Sequence, residues 1–509
     1  MQIANTTAMA NAQANAQANA EATAQVAALV TELSRTLRAQ MIETHISWVL
    51  LAKDTAYKIK KPVRLPFVDY GTLEARRHFC EEELRLNQRL APLLYLGITR
   101  ITGSQEAPAI DGPGPVLEYA VRMQRFAPNA LFSEQLAAGT LRADDVDRLA
   151  ALLADFHERA PRAEAASVFA NAGQRRAAAL AALDGVRSLA SEGELAELRA
   201  WMEAEAAALT PLWTSRKAEG RVRECHGDLH LANVVRVGSD VLAFDCIEFD
   251  PALRWIDVLD DAAFVVMDFA AHKRNDFAFR FLNAWLDRTG DHRGLPALRF
   301  AVVYRALVRA QVAQLRGAHE ETAARRYLQT AMEWIHRQGT RLFITHGLPG
   351  SGKTFASQRV LEQQGAVRLR SDIERKRLFG VGALEDSRAK GLNLYGAEAT
   401  ALTYDHLFEM ARVALQAGYS VILDAAFLRR TERTQALALS RALSLPFSIV
   451  ACEAPLAVLQ ARLKARGGDA SEADVTVLEQ LRTAAQPLAI DEFAFVHALP
   501  DAEAGPSLT

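Results

Sequence analysis

Charge of one sign is missing from this 509-residue sequence: 59 Lys and Arg stand against 61 Asp and Glu, a net charge of −2. Without a global basic field, neither a nucleic acid nor an anionic membrane surface is the expected partner, and a small molecule is. Cysteine is scarce. Cys80, Cys225, Cys246 and Cys452 are scattered without C-x-x-C spacing, which excludes a disulfide scaffold and fits buried thiols in a reducing compartment. No apolar run approaches the roughly 18 residues that span a bilayer. Residues 1–25, built on an N-A-Q-A repeat, hold no basic residue and no continuous apolar core. They fit neither a secretory signal nor an Arg-rich transit peptide and are expected to be a disordered tail on a cytoplasmic protein.

What is present is apolar enough, at 50% of residues, for two or three domains with their own cores. From about 41 to 126, strand-like runs (THISWVLLA, TAYKIKKPV, PVLEYAVRM) surround one charged helical segment, TLEARRHFCEEELRLNQRL. From about 135 to 335 the pattern is mostly helical, and from RLFITHGLPGSGKTFASQRVL onward β and α segments alternate. The expected organisation is a tail (1–25), a β-rich lobe with a large helical lobe (26–337), and an α/β domain (338–509). The join near 338 is short and polar, so the two halves are expected to fold independently.

Inside the helical region lies CHGDLHLANVV, residues 225–235. The runs NVVRV and VLAFD, separated by GSD, suit a hairpin with a three-residue loop. Pairing Val237 with Val241 puts Asn233 opposite Asp245 on one face, so two metal-binding oxygens converge, with Asp228 in the loop just outside. Phosphoryl transfer needs metal ions on the phosphate oxygens and a carboxylate to accept the acceptor hydroxyl's proton. The spacing H-x-D-x-x-x-x-N with a later strand-end Asp resembles the catalytic and metal-binding loops of the protein-kinase-like superfamily, in its aminoglycoside phosphotransferase-like branch. That resemblance implies Asp228 as catalytic base, Asn233 and Asp245 as Mg²⁺ ligands, and His226 as a brace for the loop. His230 reads as a structural histidine.

The resemblance also requires a strand Lys on the ATP phosphates and a helix Glu to orient it. Alternation in TAYKIKKPV puts Ala56, Lys58 and Lys60 on one face, and Lys58 is the expected phosphate ligand. On the following helix Phe79, Glu83, Leu86 and Leu90 share a face, so Glu83 points inward while Glu81 and Glu82 are solvated. Backbone groups near Met123 are expected to meet the adenine. One family feature is lacking: no G-x-G-x-x-G precedes Lys58, and the turn there reads LLAKDTA. Asp257, Asp260 and Asp261 read as solvated or helix-capping acids rather than as a cationic-substrate site.

Gly347-Leu-Pro-Gly350-Ser351-Gly352-Lys353-Thr354 satisfies G-x-x-x-x-G-K-[ST] between an apolar strand and a helix. Backbone N–H groups there can cradle phosphate, with Lys353 on the β and γ phosphates and Thr354 on Mg²⁺. The next strand ends in Asp372, with Arg375 three residues on, at the carboxyl edge of a parallel sheet where ligands bind. Asp372 is the candidate base there and Arg375 holds phosphate charge. Asp424, after the apolar strand YSVIL, occupies a Walker B-like position for water-mediated Mg²⁺ contact, and Arg462 and Arg466 share a helical face that could close over phosphates.

This half resembles small P-loop kinases of the nucleoside-monophosphate-kinase type, including gluconate kinase, zeta toxin and polynucleotide 5′-hydroxyl kinase relatives. Residues 26–500 together resemble a bacterial bifunctional family that fuses an aminoglycoside phosphotransferase-like domain to an ATP-binding one. The expected fold is an α+β protein-kinase-like bilobal domain followed by an α/β P-loop NTPase domain, and the expected cofactors are ATP and Mg²⁺. The expected function is phosphoryl transfer to small-molecule hydroxyl groups, with a polynucleotide 5′-hydroxyl as the lesser acceptor. The competing class is a nucleotide-regulated binding protein, one module serving as an ATP switch.

Overall fold

The computed structural model describes residues 21–65, 68–383, 385, 394, 396–465, 471–472 and 474–497. Contacts divide the chain into a first unit, Met1–Asp145 with Arg159–Ala170 and Gly220–Asp261, and a second, Val146–Glu158 with Asn171–Glu219 and Ala262–Thr509. The change of sequence pattern near 338 falls inside the second unit.

In the first unit, β1 (Gln40–Glu43), β2 (Ser47–Leu51), β3 (Thr55–Lys60), β6 (Tyr95–Gly103), β7 (Pro108–Ile110) and β8 (Val116–Gln124) form an antiparallel sheet in the order β1-β2-β3-β8-β6-β7. The short β4 (Arg64–Leu65) and β5 (Val68–Asp69) pair apart from it. Strand alternation sorts β3 as expected. Ala56 packs with Val121, Met123 and Cys80 on one face, while Ile59 packs with Trp48 and Leu50 on the other. Leu29, Val30 and Leu33 of a helix over 21–37 cover that second face. The helix already includes residues 21–25, so they are not disordered tail; residues 1–20 lie outside the described residues.

The helix Leu73–Asn87 starts where Thr72 accepts a hydrogen bond from the Ala75 N–H, and it buries Arg76, Cys80, Glu83 and Leu86. Further along, β9 (Val222–Glu224) pairs with β12 (Trp255–Asp257), and β10 (Val234–Val237) with β11 (Asp240–Ala243). The last hairpin corrects the expected register. Val237 pairs with Asp240, not Val241, because the turn holds two residues, with Gly238 at φ +62°. Asn233 therefore stands across from Phe244, whose N–H donates to its carbonyl at 2.9 Å.

In the second unit, β13 (Leu342–His346), β14 (Ala366–Arg370), β15 (Ser420–Asp424) and β16 (Phe447–Ala451) form a parallel sheet ordered β14-β15-β13-β16. The edge strand β14 is covered by the helix Asn275–Thr289. The Asn283 carboxamide, 1% exposed, donates to the Ala366 carbonyl at 2.9 Å and accepts from the Arg368 N–H at 2.5 Å, satisfying ladder groups a further strand would take. Among the described residues, no helix is long and apolar enough to cross a membrane.

Candidate active sites

In the first unit, Lys58 on β3 reaches Glu83 Oε1 at 2.8 Å and Asp245 Oδ1 at 2.5 Å. Glu83 is fully buried and also accepts from Lys60 at 2.7 Å. Burial works against charge in both partners, yet the Asp245 and Glu83 carboxylates hold the Lys58 pKa well above its ordinary value. Lys58 and Lys60 in turn hold Glu83 below its own. Glu81 and Glu82 face Arg77 and Arg85 instead.

Asp228 follows His226, whose Nε2 meets the Phe244 carbonyl at 2.9 Å while its Nδ1 accepts from the Asp228 N–H at 3.3 Å. Burial lowers the His226 pKa, which favours the neutral ring this pattern requires. The histidine thus ties the Asp228 loop to the residue preceding Asp245. Asn233, in the single turn Leu231–Asn233, donates to the Asp228 carbonyl at 2.9 Å, and His230 Nε2 lies 3.4 Å from Asp228 Oδ2. Asp245 has φ +67°, a left-handed conformation uncommon outside glycine, and its side chain is 44% exposed. Asn233 and Asp245 offer only oxygens to a cation, the donor chemistry that suits Mg²⁺.

Met123 lies inside the sheet, paired with Ala56 on one side and Tyr95 on the other, one residue before β8 ends at Gln124. One expectation fails here. Asp261 is not solvated: fully buried, it accepts from the His226 and Gly227 N–H groups at 3.0 and 2.9 Å and fixes the loop before Asp228. Asp257 does cap its helix, accepting from the Leu259 N–H at 2.9 Å, but it too is buried, as is Asp260. Where the glycine loop is lacking, Ala52 and Thr55 close a tight turn over Lys53 and Asp54.

In the second unit, the segment 347–354 leaves β13 and opens the helix Lys353–Gln364. A Cβ on Gly347 would stand 2.3 Å from the Cys452 carbonyl oxygen, and Gly352 has φ +93°, so this path admits only glycine at both places. Ser351 Oγ is buried with no partner, and Lys353 Nζ folds onto the carbonyls of Gly347 and Leu348 at 3.0 and 2.9 Å. An unpaired buried hydroxyl and a lysine resting on its own loop fit a cradle for phosphate. Arg462 donates to the Gly350 carbonyl at 3.1 Å, whereas Arg466 lies outside the described residues.

A cavity of about 990 Å³ extends from this cradle and brings Thr354, Asp372, Arg375 and Asp424 to one wall set. Asp424 accepts from Ser357 Oγ at 2.9 Å, while Thr354 is exposed; Ser357 is a partner that the motif did not reveal. Asp372 lies in the first turn of the helix Ser371–Leu378, and Arg375, one turn on and buried, donates to Thr403 Oγ1 at 3.4 Å. Tyr404 and Glu432 also line the cavity, and burial raises the Glu432 pKa.

The family model AAA_33, described as an AAA domain, matches residues 342–488. Uncharacterized protein Rv2004c of Mycobacterium tuberculosis and Uncharacterized protein Mb2027c of Mycobacterium bovis are each 31% identical over 448 residues, covering 86% of this chain and 88% of theirs. The chain belongs to their family. Among solved structures, the family member described here is similar to a choline/ethanolamine kinase family protein from Mesorhizobium loti (11% identity, 60% of this chain and 95% of that one, TM-score 0.39). It is also similar to a gluconokinase from Sinorhizobium meliloti (16% identity, 30% and 78%, TM-score 0.22). Its fold class agrees with the expectation as far as an α+β first unit and, over the residues the AAA domain model matches, an α/β domain with a parallel sheet.

Proposed function

We propose that the protein is an ATP- and Mg²⁺-dependent phosphotransferase whose two kinase-like modules act on small-molecule hydroxyl groups. The reading is supported above all by the convergence of Lys58 on Glu83 and Asp245 at 2.8 and 2.5 Å, beside a loop that carries Asp228. Lys58, oriented by Glu83, would hold nucleotide phosphate, and Asn233 and Asp245 would hold Mg²⁺. When bound, that ion neutralises charge on the phosphate oxygens. The Asp228 carboxylate would take the acceptor hydroxyl's proton as its oxygen bonds to the γ-phosphorus and the bond to the β-bridging oxygen breaks, leaving ADP. Adenine would meet backbone past Gln124, where β8 ends. In the second unit Lys353 and the 347–354 backbone would hold phosphate, Thr354 and Asp424 the ion, Asp372 the proton, and Arg375 and Arg462 the transferring charge.

The test of the first site is calorimetric titration of the full chain, in a Lys353→Ala background, with ATP at two Mg²⁺ concentrations. Asp228→Asn should leave binding nearly intact, because it removes a proton acceptor rather than a ligand of metal or nucleotide. Asp245→Asn should weaken binding roughly 10-fold or more, with excess Mg²⁺ restoring part of it. No ATP binding at either concentration would leave the first module a scaffold. Equal loss in both variants without rescue would contradict the division between base and metal ligands.

A further inference from the structure

Four consecutive residues of the candidate metal loop are each tied to a different element of the first unit. The Asp245 N–H donates to Tyr95 Oη on β6 at 3.2 Å, and the Cys246 N–H to Asn87 Oδ1 at 2.9 Å. The Ile247 N–H donates to the His226 carbonyl at 3.2 Å, and the Glu248 carboxylate accepts from Lys60 Nζ and from Tyr70 Oη, the latter at 2.6 Å. Asn87, fully buried, donates through Nδ2 to the Glu83 carbonyl at 2.8 Å, so one carboxamide joins the Glu83 helix to the loop. The ion pairs close a ring: Lys58 to Glu83, Glu83 to Lys60, Lys60 to Glu248, and back through the backbone to Asp245 and Lys58.

We infer that Asn87 and the Lys60–Glu248 pair are positioning residues that hold Asp245, in its left-handed conformation, against Lys58 before any ligand arrives. A non-glycine residue at φ +67° persists only where its surroundings over-determine it, and here a tie acts at its own N–H and at each of the next three residues. Lys60 and Glu248, 1% and 4% exposed, meet the site through Glu83, through the loop backbone and through the charge that Glu248 adds beside Lys58. Their effect is on where Asp245 stands. The first site is therefore preassembled, with no order-to-order swing of its metal loop on binding. This inference rests on the reading of Asp245 as a metal ligand, but its first readout does not.

That readout is amide hydrogen exchange over residues 244–249 in the ligand-free full chain. The wild type should exchange slowly there, and Asn87→Ala and Glu248→Gln should speed exchange at 245–247 while the rest of the sheet keeps its protection. Fast exchange in the ligand-free wild type, or slow exchange in both variants, overturns preassembly. The second readout is the Mg²⁺ concentration at which ATP protects the same peptide, expected to rise 10- to 100-fold in each variant. Lys60→Met/Glu248→Leu guards against simple misfolding, since an apolar pair can replace a buried ion pair without loss of fold. It should melt like the wild type yet keep the raised Mg²⁺ requirement, and a wild-type requirement would reduce the pair to packing. If ATP protects no peptide of the first unit in the wild type, the proposed activity of that site fails, while the ligand-free exchange still decides preassembly.

Discussion

Glu374 sits on the same short helix as Asp372 and Arg375, where it accepts from His406 at 3.1 Å and pairs with Arg377, with His292 Nδ1 3.9 Å away. Burial raises its pKa, but the His406 bond and the Arg377 and His292 charges outweigh that and hold it at about 2, against an ordinary 4.5. Burial lowers the His292 pKa. A depressed acid stabilises the fold fully above its unfolded pKa and loses that contribution as pH falls through the folded one. Glu374 should thus contribute up to roughly 3 kcal/mol above pH 4.5, lost as pH falls toward 2. Urea unfolding between pH 6 and 3 should be less steeply pH-dependent in Glu374→Gln than in the wild type; identical slopes contradict this. Residues such as Lys58 and Glu83 were legible because strand and helix periods point them inward. Glu248 was not, because its partner Lys60 is 188 residues away and no local spacing encodes the meeting.

Elements were read more securely than the joins between them. The β-rich lobe, the strand-loop-helix at 342–364 and the parallel sheet follow from apolar alternation and from glycine placement. The hairpin register slipped by one residue because a two-residue turn with a left-handed Gly238 and a three-residue loop read alike in GSD. The cover over β14 was equally hidden, since nothing in the pattern of Asn275–Thr289 says that its Asn283 completes a sheet edge. Asn283→Ala leaves the Ala366 carbonyl and the Arg368 N–H buried without that partner, at about 1–3 kcal/mol each. A fall of roughly 2–6 kcal/mol in urea stability is expected, and a loss under 1 kcal/mol would contradict the edge role. A 339–509 fragment lacks Asn283 and Asp287, which accepts from Arg377 at 2.6 Å, so it should melt well below the full chain. Equal melting would favour the independent halves expected from the polar join.

At the scale of the whole molecule, one chain carries two candidate phosphate-handling constellations of unrelated design. One is built on strand lysines and a buried glutamate, the other on a glycine-lined loop with its helix N-terminus. The sequence made both visible, since each depends on short spacings within single loops; the acceptors stayed hidden, because a cavity wall is assembled from distant segments such as Asp372, Tyr404 and Glu432. The central claim is that both constellations transfer phosphoryl groups. Its most direct measurement is Mg²⁺-dependent ATP consumption by the full chain across a panel of sugars, nucleosides and aminoglycosides, in the wild type, Asp228→Asn, Lys353→Ala and the double variant. Each single variant should lose turnover with one set of acceptors and keep it with another, and the double variant should lose both. A single variant that abolishes all turnover, or a double variant that retains it, would contradict two independent kinase sites.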